Sequence, residues 1–103
     1  MIKLCFFVPK THLEQVKNAV FDAGAGRIGD YDQCSWQTLG QGQFRPLAGS
    51  KPFLGKQGEC ETVDEYKVEM VVAEEHIQSV LKALKESHPY EEPAYELYRL
   101  LEI

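Results

Sequence analysis

The string best suited to chemistry is His88-Pro89-Tyr90-Glu91-Glu92-Pro93, close to the end of the chain. Its two prolines restrict the residues between them to a short extended link, which places an imidazole near two carboxylates. Neutral imidazole nitrogen and carboxylate oxygen are both ligands of divalent cations, so His88 and Glu92 are the candidate metal ligands. A divalent ion is the one cofactor that these residues suggest. The irregular ligand spacing favours the competing interpretation, a structural turn with solvated acids.

A second candidate region is rich in glycine and proline and covers residues 38–58, where neither a strand period nor a helix period survives. It predicts a long loop, and loops of this length are usually functional or disordered. The loop carries Arg45, Lys51 and Lys56 and no acidic residue, so it could fold around an anion with glycine N–H groups as further donors. A solvated, mobile loop is the alternative, since no phosphate-binding G-x-x-x-x-G-K-[ST] pattern is present.

Other catalytic or nucleotide-binding patterns find little support. Residues 24–29 match G-x-G-x-x-G, but they follow a predicted helix and open a strand, the reverse of the dinucleotide-binding context, so they predict a helix cap and a turn. Cys34 with His88 is the only nucleophile and base pairing to consider, and the sequence does not establish their proximity. No catalytic residue is therefore assigned.

The elements that must position these residues follow from hydrophobic periodicity. Alternation predicts strands, and apolar residues at helical spacing predict helices. Thr11 and Glu14 have the spacing of a capping box at the start of the first helix, and Pro89 ends the second. The predicted elements, in order, are a strand over 1–9, a helix over about 11–23, a strand over 28–37, a strand over 63–72, a helix led by Glu74 and Glu75 with an apolar stripe from Ile77 to Leu84, and a strand over about 94–102.

The order βαββαβ predicts an α+β, ferredoxin-like fold with a four-stranded antiparallel sheet and two helices on one face. Several strands carry apolar residues on both sides, namely Phe7, Val71, Tyr95, Leu97 and Leu101 opposite neighbours that are also apolar. A lone protomer would expose a large apolar patch on the open face. We therefore expect self-association through that face.

Composition limits the class of protein. The chain has 103 residues and a formal net charge of -5, which predicts a single domain over 1–103 and argues against nucleic-acid binding. The longest apolar runs are far shorter than a membrane span, and no leader pattern begins the chain, so no membrane association and a cytoplasmic location are expected. Three cysteines without a Cys-x-x-Cys pair predict free thiols.

Taken together, the motifs resemble a known family. The resemblance lies in the run from Gly26 to Tyr31, Cys34, the run from Gly40 to Leu47, the later loop glycines, Glu61 and the run from His88 to Tyr95. In these positions the chain closely resembles the PII/CutA-like domain inserted in the YqfO branch of the Nif-three-like proteins. The resemblance implies a ferredoxin-like fold and trimers with inward-facing sheets and ligand clefts between subunits. It covers only the insert, here as a stand-alone chain, so the two-metal site and the cyclohydrolase label of the full-length proteins do not transfer.

The expected function is a non-catalytic, oligomeric small-ligand or metal-sensing regulatory module with its site at a subunit boundary. The alternatives are a small metal-dependent hydrolase using His88, or a structural partner of a protein that carries the two-metal domain. The candidate ligand-binding residues are Tyr31, Arg45, Glu61, His88, Tyr90 and Glu92. Arg45 would take an anion, while His88 and Glu92 would take a cation or a hydrogen-bonded ligand.

Overall fold

The structure is a computed structural model and describes residues 1–102. It contains four strands and two α-helices, and each helix is preceded by one turn of 3-10 helix. The elements are β1 (Ile2–Pro9), α1 (Leu13–Asp22), β2 (Trp36–Phe44), β3 (Glu61–Val72), α2 (Ile77–Ser87) and β4 (Tyr95–Arg99).

The four strands form one antiparallel sheet in the order β2-β3-β1-β4. The register is fixed where Leu4 of β1 lies between Met70 of β3 and Leu97 of β4. Both helices pack on the same face of the sheet, and their apolar stripes meet the inward side chains of β1 and β3. The predicted ferredoxin-like α+β fold is confirmed.

The core lies between the helices and the two central strands. The alternating residues Leu4, Phe6 and Val8 of β1 are fully buried because a strand sends every second side chain to one face. Val16 of α1 and Val80 of α2 are also fully buried, since residues at helical spacing share one face. Burial of such side chains stabilises a fold by roughly 1.5–3 kcal/mol each.

The predicted second strand over 28–37 is wrong in its position. The observed β2 begins at Trp36, and it includes residues 38–44, which the sequence assigns to the long loop. The Gly40-Gln41-Gly42-Gln43 run lacks apolar alternation because β2 is an edge strand that is largely exposed. Its strand conformation is stabilised by pairing with β3 and not by its composition. Residues 27–35 are an irregular crossover with one tight turn, in which Ile28 and Tyr31 bond to each other.

The helix starts also differ from the prediction. The capping box of Thr11 and Glu14 does not form, because residues 10–12 adopt a 3-10 turn and the Thr11 hydroxyl lies 2.8 Å from Nδ1 of His12. Residues 74–76 form the equivalent turn before α2. The predicted role of residues 24–29 as a cap and turn is confirmed, since Gly24 follows α1 with a φ of 115°.

The open face of the sheet is more polar than the sequence indicates. The register pairs Tyr95 with Phe6 and Leu97 with Leu4, so both point to the helix side rather than to the open face. Leu101 lies beyond the end of β4. The open face instead carries Phe7, Val71, Trp36 and Tyr98 among charged residues such as Lys3, which forms a 2.5 Å ion pair with Glu69.

Among residues 1–102, no helix combines the length and the apolar character that a membrane crossing requires.

Candidate functional site

The β2–β3 hairpin projects beyond the rest of the sheet. Strand β1 pairs with β3 from Glu65 to Val72, so within residues 1–102 the Glu61–Asp64 end of β3 pairs with β2 alone. Residues 45–60 connect the two strands. A short bond from Gly58 N–H to the Pro46 carbonyl, at 2.7 Å, closes the base of this loop.

The loop folds back onto the body of the protein through Phe53. The Phe53 ring lies edge-on to His12, with centroids 5.3 Å apart, and tilted against Tyr90 at 6.4 Å. The Lys51 backbone N–H also donates to the Glu91 carboxylate at 3.3 Å. The loop therefore covers the segment of residues 88–93, which the sequence also selected.

A cavity of about 320 Å³ lies between the loop, the open face and the 88–93 segment. Its volume falls at the low end of the ~300–1,000 Å³ range of small-molecule pockets. Most of its lining is aromatic or apolar, and three carboxylates supply the charge. The lining residues are Phe7, Gln43, Phe44, Pro46, Ser50, Pro52, Phe53, Glu65, Tyr90, Glu91, Glu92 and Ala94.

His88 lies behind this cavity and holds the segment in place. Its Nδ1 accepts the Tyr90 backbone N–H at 3.1 Å, which leaves Nε2 to carry the proton and donate to the Phe7 carbonyl at 2.7 Å. The side chain is buried, and burial lowers the pKa of His88, although the bond to Phe7 opposes this effect. The neutral imidazole is therefore the form that fits.

Tyr90 and Glu65 are joined across the cavity. The Tyr90 hydroxyl donates to the Glu65 carboxylate at 3.0 Å. Burial raises the pKa of Tyr90 far above its usual value, and the negative charge of Glu65 raises it further. The phenol thus remains a donor, and it orients one carboxylate oxygen.

Gly42 makes room for that carboxylate. A Cβ added at Gly42 would overlap the Glu65 carboxyl group, whereas a Cβ at Gly40 would meet nothing within 4 Å. A glycine inside a strand often marks such a close approach. The glycine at position 42 is thus explained by a side chain that lines the cavity.

The six predicted ligand residues are only partly brought together. Tyr90 and Glu92 line the cavity, and His88 supports Tyr90 from behind. Arg45 is exposed just after β2, and Glu61 packs beneath Gly55 of the loop. Tyr31 lies in the crossover turn, 75% exposed. None of these last three lines the cavity.

A metal site at His88 and Glu92 stays a prediction. Both ring nitrogens of His88 have backbone partners, so a metal ion would have to displace one of them. Within residues 1–102, no group of three or more histidine, cysteine, aspartate and glutamate side chains is placed to hold a metal.

The pairing of Cys34 with His88 does not occur. Cys34 lies beside Lys3 and Trp36 in a second hollow on the open face, while His88 contacts Phe7, four residues further along β1. All three cysteines are free thiols, as predicted.

The residues that the sequence did not select are Phe7, Phe44, Phe53 and Glu65. Phe7, Phe44 and Glu65 are strand residues whose side chains meet only through the register, and Phe53 reaches the site because the loop folds back. The one feature of the sequence that could have indicated Glu65 is Gly42, because a glycine inside a strand often marks the close approach of another group.

Comparison with known proteins identifies relatives that are longer than this chain. No protein-family model matches the chain. It is 50% identical over 100 residues to a GTP cyclohydrolase 1 type 2 homolog of Halalkalibacterium halodurans, a match that covers 97% of this chain and 27% of that protein. The protein of the same description from Bacillus subtilis is 47% identical over 96 residues, covering 93% and 26%.

Solved structures agree with these matches. The Bacillus cereus protein related to NIF3 superposes with a TM-score of 0.82 and 40% identity, over 96% of this chain and 25% of that one. The chain is therefore similar to one segment of Nif-three-like proteins, and its fold is PII/CutA-like. CutA1 from Pyrococcus horikoshii superposes with a TM-score of 0.70 at 16% identity, over 100% of this PII/CutA-like domain and 86% of CutA1, which shows the shared fold. The domain spans about a quarter of the curated relatives that it matches.

Proposed function

We propose that this PII/CutA-like domain is a non-catalytic, regulatory small-ligand-binding module, and that its ligand occupies the cavity beneath the 45–60 loop. The observation that carries the proposal is a cavity of about 320 Å³ lined mainly by aromatic and apolar residues. A pocket that is largely apolar with a few convergent polar groups is the usual form of a small-molecule site. The loop can report occupancy because its Phe53 ring contacts Tyr90 at the pocket.

Binding is tested with a variant that fills the pocket. Ala94 is exposed and lines the cavity, so Ala94→Leu adds bulk there without removing a buried contact. Ala48→Leu makes the same change at an exposed loop position outside the lining. Calorimetry and thermal shift against metabolites, nucleotides and divalent metals should reveal a ligand that the first variant loses and the second retains. No binding by any compound to the wild-type protein would contradict the proposal.

We also propose that the domain forms a homo-oligomer, a trimer, through the open face of the sheet. Trp36 is 62% exposed and Tyr98 is 49% exposed on that face, which supports a partner surface. Cytoplasmic location is part of the same proposal, and three free cysteines suit a reducing compartment.

A second candidate function is that of a structural partner of a protein carrying the two-metal Nif-three-like domain. The observation that favours it is that the chain matches a segment held within longer proteins, at 50% identity over 27% of one of them. Pull-down with the purified domain from its native host tests it, and the absence of a reproducible Nif-three-like partner would count against it.

A further inference from the structure

The cavity has an unusual combination of lining groups. Four aromatic residues and three carboxylates line it, and no described residue of the lining is basic. We propose that its ligand is a small organic cation that carries a methylated ammonium group. This inference rests on the proposed function, because it names the class of ligand that the same cavity takes.

The charged side chains of the cavity lining are all negative. Glu65, Glu91 and Glu92 line the cavity, and within residues 1–102 none of them forms an ion pair. The hydrogen bonds of the first two come from neutral donors, the Tyr90 hydroxyl and the Lys51 backbone N–H. A cation in the cavity would therefore be attracted by all three carboxylates, and most by Glu65, because Glu91 and Glu92 are exposed to solvent that screens their charge. An anion would be repelled by the same groups.

The aromatic rings of the lining are close to one another. The centroid of Tyr90 lies 5.8 Å from that of Phe44 and 6.4 Å from that of Phe53, and both pairs are tilted rather than stacked. These separations are those of rings in direct contact, so the three rings form one aromatic wall of the cavity. A cation that lies over such a wall within ~6 Å of a ring centroid is stabilised by the ring quadrupole, and methylated ammonium groups are typical ligands of aromatic sites.

The lining of the cavity suits an organic cation better than a metal ion. Hard divalent ions need about six oxygen ligands at short distances, which aromatic rings cannot supply. Among the described residues, no three histidine, cysteine, aspartate or glutamate side chains are placed so that they could hold one metal ion. A cavity of about 320 Å³ is also far larger than one ion, whereas it accommodates a molecule of several heavy atoms.

The test compares the binding of a cation with that of an uncharged molecule of the same shape. Choline is the probe, and its carbon isostere, in which a quaternary carbon replaces the nitrogen, is the matched neutral compound. We expect choline to shift the aromatic NMR signals of Phe44, Phe53 and Tyr90 saturably and to bind roughly tenfold tighter than the isostere. Magnesium, inorganic phosphate and adenosine complete the series.

Two variants locate the site. Glu65→Gln removes one charge but keeps an acceptor for the Tyr90 hydroxyl, and Glu59→Gln makes the same change at an exposed residue outside the lining. Phe53→Leu removes a ring at a position that is 48% exposed. Choline affinity should fall several-fold in Glu65→Gln and in Phe53→Leu and stay unchanged in Glu59→Gln.

The outcomes distinguish this inference from the proposed function. The inference would be overturned if choline and its isostere bound with equal affinity, or if Glu65→Gln left the affinity for choline unchanged. Saturable binding of magnesium, phosphate or adenosine that Ala94→Leu abolishes, without choline binding, would also overturn it while supporting the pocket as a ligand site. If no compound of the series or of the wider screen binds the wild-type protein, both the inference and the proposed function are contradicted.

Discussion

At the scale of single residues, His88 connects the sequence motif to the shape of the site. The sequence predicts a metal ligand at this position, and the structure shows both ring nitrogens bonded to backbone groups of Phe7 and Tyr90. This role needs the neutral ring, because a second ring proton would face the Tyr90 N–H, which is itself a donor.

Stability should therefore depend on pH through His88. Burial lowers the pKa of the folded-state imidazole, so the unfolded chain, with a pKa near ~6.5, binds the proton more readily. The contribution of neutral His88 to the free energy of unfolding is complete at pH values above the pKa of the unfolded chain. It is lost as the pH falls from there through the lower pKa of the folded state. Urea unfolding from about pH 7.5 to about pH 5.5 should show this loss.

The matched variants are His88→Gln and His76→Gln. The first should lower the free energy of unfolding at neutral pH by roughly 1–3 kcal/mol, because buried backbone groups lose partners, and should flatten the pH dependence. The second should keep the slope of the wild-type protein. If the free energy of unfolding of His88→Gln depended on pH as steeply as that of the wild-type protein, a group other than His88 would cause the dependence.

At the scale of elements, the β2–β3 hairpin and its loop build most of the cavity. Register brings Gly42 next to the Glu65 side chain, and the 45–60 loop carries Phe53 back to Tyr90. The hairpin and its loop thus add Glu65 and Phe53 to the ring and the two carboxylates that the 88–93 segment brings to the cavity.

Two glycines of β2 provide a matched test of this arrangement. Gly42→Ala should displace the Glu65 carboxylate, break its bond with the Tyr90 hydroxyl and lower the free energy of unfolding by roughly 1–2 kcal/mol. Gly40→Ala should change it by less than ~0.5 kcal/mol, since the added Cβ meets open space. Urea midpoints measure both, and equal midpoints would contradict the close packing at Gly42.

At the scale of the whole molecule, the two faces of the sheet differ. The helix-covered face is the core, and the open face mixes Phe7, Trp36, Val71 and Tyr98 with charged residues. Exposed aromatic residues among charges suit an interface that excludes water at its centre and stays polar elsewhere.

The oligomer is tested with two residues of β2 that point to opposite faces. Trp36 is 62% exposed on the open face, and Leu39 is 51% exposed on the other. Sedimentation velocity at micromolar concentration should show a trimer for the wild-type protein and for Leu39→Lys. Trp36→Lys should dissociate, because it buries a charge at the proposed interface. A stable wild-type monomer would contradict the proposal.

The sequence by itself determined the element order, both helices and three of the four strands to within a few residues. Those elements carry strong periodicity, as in Leu4, Phe6 and Val8 of β1, because one face of each is buried. It also selected Tyr90 and Glu92, since their proline-bounded segment is distinctive in composition.

Only the tertiary structure decided the position of β2 and the rest of the cavity. An exposed edge strand with two glycines has no periodic signal, and its place depends on hydrogen bonds to β3. Phe7, Phe44, Phe53 and Glu65 are separated along the chain and meet only when register and loop folding are established. Local patterns record which face of an element is buried, whereas a cavity depends on which elements become neighbours.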